Sequence, residues 1–161
     1  MTTPIDRCPD CNAPVSGGRE GCQALFDVLA TLVYTDLQRA AVHQLAFDAY
    51  CMQHPDTYGL SAKSYAAHLT RLCCGLEFGG DHRIYRAIPR WLSGHSPVGK
   101  PEVPQFRGRL TVASVAAATD VEEYVRLVDA WARDVWSAYA HQHDLARQWI
   151  ALAMEHRSRE E

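Results

Sequence analysis

Several things are missing from these 161 residues. No run of about 18 apolar residues occurs, so no membrane-spanning helix is expected. There is no basic excess: 16 Lys and Arg stand against 19 Asp and Glu, a formal net charge of -3. The arginines are scattered among acids rather than gathered on one face, which argues against nucleic-acid binding. No stretch alternates apolar and polar residues with a period of two, so strands are not expected, and no internal repeat is present. The Walker loop and the G-x-G-x-x-G, G-x-S-x-G and H-E-x-x-H signatures are all absent. That removes the commonest nucleotide-binding, serine-hydrolase and metalloprotease chemistries. Residues Met1 to Pro14 lack the apolar stretch of a signal peptide, so a cytoplasmic location is expected. Thiols stay reduced there, and the six cysteines read as ligands, core fillers or a reactive thiol rather than as a disulfide framework.

What is present reads as helix. The hydrophobic and charged fractions, 47% and 22%, are those of an ordinary globular chain. The length suits one domain, residues 1–161. Leu25, Phe26, Leu29, Leu32 and Val33 recur at helical spacing from Cys22 to Tyr34. Asp36 can cap a second helix to Gln53, with Leu37, Val42, Leu45, Phe47 and Tyr50 as its apolar positions and Pro55 ending it. A short loop, Asp56 to Leu60, precedes a third helix, capped by Ser61 and stopped by Gly79-Gly80. Residues 82–92 predict a short helix despite Pro89. The Pro- and Gly-rich stretch from Ser93 to Gly108 is the longest loop, and long loops are often lids or binding segments. Thr111 to Ala118 is ambiguous. Asp120 caps the longest helical stretch, Val121 to His156, with a break possible near Gln142. Trp131, Trp136, Tyr139, Leu145, Trp149 and Leu152 mark its core side. The expected fold is all-α: a bundle of four to five helices over residues 23–157, with a metal-binding knuckle, residues 1–22, packed on it.

The knuckle is the strongest chemical signal. Cys8 and Cys11 are spaced C-x2-C, and two thiolates on such a turn can grip one tetrahedral zinc ion. Cys22 can return as a third ligand at the start of the first helix, whose positive N-terminus would favour the thiolate. The fourth ligand has several candidates: His43, His54, Cys51 and the Cys73-Cys74 pair. Cys51, Cys73 and Cys74 lie within helices and fit small buried apolar residues equally well. His43, Tyr50 and His54 fall on one face of the second helix, and His68 lies on the inner side of the third. Inward-facing histidines from several helices are how a bundle builds a metal site. Asp48 points away from the His43 stripe by about 140° at ~100° per residue, so it is not counted as a co-ligand.

The elements Cys8-Pro9-Asp10-Cys11, Gly21-Cys22, Val42-His43-Gln44-Leu45, Asp48-Ala49-Tyr50 and Gln53-His54-Pro55 resemble a family of small bacterial proteins of unknown function, common in actinobacteria. The resemblance continues through Ser64, His68-Leu69, Leu76-Glu77, Trp131-Ala132 and Val135-Trp136. It implies that Cys8, Cys11, Cys22, His43, His54 and His68 belong together, and it names no activity. Gln23 stands where the family often has Trp. A looser similarity is to four-helix proteins of the DinB kind, in which three histidines from different helices hold one metal.

Three functions follow as expectations. The first is a zinc-binding helical bundle serving a small-molecule or protein partner, with homodimerisation open. The second is a metal-dependent hydrolase or lyase in which His43, His54 or His68, or the cysteine thiolates, hold a metal with an open position, with Tyr50 the nearest acid–base group and His54 and His68 the other catalytic candidates. The third is a thiol redox protein using Cys8 and Cys11.

Overall fold

The structure, a computed structural model, describes residues 6–161, so Met1 to Ile5 of the expected knuckle lie outside the described residues. Among the described residues every regular element is helical, apart from one isolated antiparallel bridge between Arg7 and Pro14. The helices are α1 (Gly18–Thr31, continued by a 3-10 turn, Leu32–Tyr34), α2 (Leu37–Gln53), α3 (Pro55–Tyr58) and α4 (Ala62–Glu77). They are followed by α5 (His82–Ser93), α6 (Val112–Ala116), α7 (Val121–Ala138), a 3-10 turn (Ala140–Gln142) and α8 (His143–Glu160). The all-α bundle expected from the sequence is the fold observed. None of these helices is long and apolar enough to cross a membrane.

Side-chain caps set most helix starts. The Asp36 carboxylate accepts from the Gln38 and Arg39 backbone N–H groups, and Asp120 accepts from Glu123 N–H. Ser61 and Ser64 form a reciprocal capping box at α4. Gly79 and Gly80, at φ 61° and 69°, end α4 in the left-handed region that glycine enters without steric cost.

Two details differ from expectation, the start at Pro55 and the exposure of Leu37 and Leu152, while the helix through Pro89 and the break near Gln142 are as expected. Pro55 opens the one-turn helix α3 where a loop was expected, because a proline at the first helical position gives up an N–H that has no partner there. Helix α5 runs through Pro89, held by a buried face of Ile84, Ala87, Ile88, Trp91 and Leu92. The stretch after Asp120 is two helices, divided at Tyr139 to Gln142. Leu37 and Leu152, expected in the core, are exposed, since Leu37 is the first residue of its helix and Leu152 faces outward on α8.

Helix α2 lies at the centre, against α7 and α4, while α8 packs on α4 and α5. Tyr50, Leu69, Leu72, Trp131, Val135 and Ile150 form the middle of the core. The same core takes in Cys8, Ala13 and Cys22, so the N-terminal segment is packed into the bundle. The long connection between α5 and α6 is strapped down rather than free. Trp131 Nε1 donates to Gln53 Oε1 at 2.9 Å, and Gln53 Nε2 donates to the Arg107 and Leu110 carbonyls. Further back, Gln142 Nε2 donates to the Glu102 carbonyl, and the Tyr65 hydroxyl donates to Gln142 Oε1.

Candidate metal centre

The N-terminal knuckle is a tight turn closed by its own backbone. Asn12 N–H donates to the Cys8 carbonyl at 2.9 Å, and Cys8 N–H donates to the Ala13 carbonyl at 3.0 Å. Asn12 takes φ 65°, a left-handed conformation that asparagine tolerates better than most residues. The turn brings the Cys8 and Cys11 sulfurs together. Helix α1 then passes directly beneath the end of the knuckle. A Cβ at Gly21 would collide with the Ser16 carbonyl, so only glycine permits this approach, and Cys22 follows it.

The fourth group comes from the far end of α2. His54 has φ -125° and ψ 54°, outside the helical region, because the residue before a proline is disfavoured in α conformation. Its Nδ1 lies 2.7 Å from the Tyr50 carbonyl oxygen. A carbonyl only accepts, so Nδ1 carries the hydrogen and the Nε2 lone pair faces the cysteines. Tying one ring nitrogen to an acceptor is how metal-binding imidazoles are oriented.

Four donor atoms meet here: the sulfurs of Cys8, Cys11 and Cys22, and His54 Nε2, all within 4.8 Å of one another and all buried. Tetrahedral ligands at ordinary zinc distances would be about 3.8 Å apart for sulfur–sulfur edges and about 3.6 Å for sulfur–nitrogen edges. Cys11 Sγ and Cys22 Sγ are 3.7 Å apart. His54 Nε2 is 3.6 Å from Cys8 Sγ and 3.5 Å from Cys22 Sγ. A disulfide would require about 2.0 Å. The donor set therefore fits a tetrahedral ion and not a sulfur–sulfur bond.

The electrostatics agree. Hydrogen bonding from the Cys11 thiol draws Cys22 down to about 4 against its burial, and His54 and the Tyr50 hydroxyl add to this. The same contact with Cys22, together with burial, pushes Cys11 far up. Without a metal the pair shares a proton that a cation would displace. Cys22 sits in the second turn of α1, which begins at Gly18, so these partners stabilise its thiolate rather than the helix N-terminus expected from the sequence. Three arginines surround the knuckle. Arg19 pairs with Asp10 at 2.6 Å, Arg107 Nη2 donates to the Asp10 carbonyl, and Arg7 Nη1 donates to the Asn12 carbonyl.

The other expected residues lie elsewhere. His43 is half-buried beside Phe47, with ring centroids 6.2 Å apart, and is outside the cluster. His68 is also outside it. Its Nδ1 is 2.8 Å from Asp48 Oδ1, so the aspartate set aside in the sequence is its partner. The three-histidine arrangement suggested by the looser similarity is not formed by His43, His54 and His68. Tyr50 stands behind the cluster, its hydroxyl 3.9 Å from Cys22 Sγ and 3.3 Å from Gln23 Oε1. Burial raises it well above the usual phenol range, and the neighbouring Cys22 charge adds to that. Cys51, Cys73 and Cys74 are buried away from the site, with burial raising each thiol. Sequence reasoning missed Gln23, whose Oε1 accepts both the Tyr50 and Tyr58 hydroxyls, although its place directly after Cys22 was a signal.

A family model described as "Family of unknown function (DUF5946)" matches residues 6–140, and the chain belongs to that family. No curated protein and no solved structure matches the chain.

Proposed function

We propose that this member of the DUF5946 family is a zinc-binding helical protein in which Cys8, Cys11, Cys22 and His54 hold one structural zinc ion. The observation that carries the reading is the set of three donor–donor distances, 3.5 to 3.7 Å, which fit the edges of a tetrahedral site of three sulfurs and one nitrogen. Thiolates with one imidazole favour zinc over magnesium or calcium, which prefer oxygen. Four buried protein donors complete the tetrahedron, as in structural sites, whereas catalytic zinc keeps a position open.

The ion would clasp three segments that are distant in sequence: the knuckle, α1 and the end of α2. The chain would then behave as one domain, and reduced cysteines suit the cytoplasm. A C-x2-C redox pair leaves no role for Cys22 and His54, which belong to the same cluster of donor atoms. Chemistry at the metal would need a ligand to leave first, so any proton-transfer role falls to residues outside the cluster.

The test is metal content of tag-free protein by mass spectrometry. Wild type should carry one zinc per chain, Cys8→Ser should lose it, and His68→Gln should keep it. Wild-type protein without zinc, or Cys8→Ser with full occupancy, would overturn the reading.

A further inference from the structure

Helix α5 buries Ile84, Ala87, Ile88, Trp91 and Leu92, and exposes Arg83, Arg86 and Arg90 on its other side. The three arginines, at i, i+3 and i+7, share one helix face. Like charges three and four residues apart repel, so this row destabilises the helix that carries it. His82 and Arg83 also stand in the first turn, which holds no acid beyond the Asp81 cap, although the helix dipole favours acids there. Helix α8, packed against α5, adds Arg157. Arginines scattered along the sequence thus converge on one groove of about 460 Å³, lined by His82, Arg83, Arg86, Arg90, Arg157 and Glu161.

The groove is positive in a chain whose formal net charge is -3. Arg83 pairs with Asp81 at 2.7 Å, and Arg157 pairs with Glu161 at 2.9 Å. Arg86 and Arg90 pair with no carboxylate among the described residues, and both are exposed. Two guanidinium charges are therefore left over. A phosphate monoester carries close to two negative charges at neutral pH and offers three acceptor oxygens. Guanidinium forks match its geometry. The lining holds no aliphatic side chain to enter a bilayer, and no aromatic ring besides the His82 imidazole on which a nucleobase could stack. The volume is that of a small-molecule site.

We propose that this groove binds a small phosphate monoester with a polar body, its phosphate held by Arg86 and Arg90. The bound dianion relieves the repulsion along the arginine row. The site is separate from the metal cluster, with which it shares no residue.

The test is a titration of the full-length, metal-replete chain with glucose 6-phosphate at constant ionic strength, followed by the arginine Nε–H NMR signals. Arg86 and Arg90 should shift saturably, and glucose at the same concentration should move neither. The double variant Arg86→Gln, Arg90→Gln should weaken binding at least about tenfold. Arg126→Gln, which removes an exposed arginine of α7, should leave binding unchanged. Both variants should keep the zinc content of wild type, so the outcome is independent of the metal reading. Arg86 and Arg90 signals unmoved by millimolar glucose 6-phosphate, or sulfate binding as tightly as the ester, would overturn the proposal. So would an anionic phospholipid vesicle or a single-stranded oligonucleotide that bound the same arginines more tightly.

Discussion

The His54 imidazole donates Nδ1–H to the carbonyl of Tyr50, four residues earlier, at 2.7 Å, and this bond decides which nitrogen faces Cys8 and Cys22. The end of α2 thus acts as an orienting device for a ligand atom. His54→Ala should abolish tight zinc binding, since it leaves three sulfurs and an open position. His54→Cys should retain the ion, because thiolate is an equally good donor in closed sites. Metal content of the two variants, measured side by side, checks this.

Removing a sulfur should cost stability as well as metal. Cys22 is fully buried where α1 meets the knuckle and the end of α2. A ligand present at a thousand times its dissociation constant stabilises the native state by about 4 kcal/mol. Cys22→Ser should therefore lower the melting temperature by roughly 10 °C, at about 2–4 °C per kcal/mol for a domain of this size. Treating wild type with a strong chelator should give a similar shift, and calorimetry would reveal a disagreement between the two.

Metal uptake should release protons. In the metal-free cluster Cys11 is pushed up by its hydrogen bond to Cys22 and by burial, so its thiol holds a proton at neutral pH. Cys22, drawn down to about 4, does not. Binding requires all three cysteines as thiolates, so affinity must rise with pH and fall on acidification. Titration calorimetry in buffers of different ionisation enthalpy should show at least one proton released per zinc at pH 7. A value of zero would mean that Cys11 is already a thiolate.

The strap over the bundle rests on Gln53. Its amide satisfies Trp131 Nε1 and the carbonyls of Arg107 and Leu110, and the side chain is fully buried. Gln53→Leu would leave the buried Trp131 Nε1 and two half-buried carbonyls without their partner, for a destabilisation of about 3 kcal/mol. Chemical denaturation followed by tryptophan fluorescence would measure it. Zinc content should be unchanged, since Gln53 contributes no donor.

Much of the helical framework was legible because its signals are local. Asp36, Ser61 and Asp120 each cap the helix expected of them, and Gly79-Gly80 stops α4. Cys8, Cys11 and Cys22 were legible as a group because two of them share one turn. The fourth donor was not singled out among several candidates. Placing His43 with His54 assumed one continuous helix through both, but Pro55 forces His54 out of the helical path, so the phase does not carry through. His68 was read as a ligand because its face is inward. What it meets there is Asp48, a contact between two helices that spacing along either one cannot reveal. The strap by Gln53 and Arg107 was invisible for the same reason: its partners are more than 50 residues apart.

Zinc K-edge X-ray absorption on protein purified without a tag tests the central claim most directly. The account predicts a first shell of three sulfurs at about 2.3 Å and one imidazole nitrogen at about 2.0 Å, with no water oxygen. His54→Cys should convert the shell to four sulfurs. A shell dominated by oxygen or nitrogen, or one whose sulfur count is unchanged in Cys22→Ser, would contradict it.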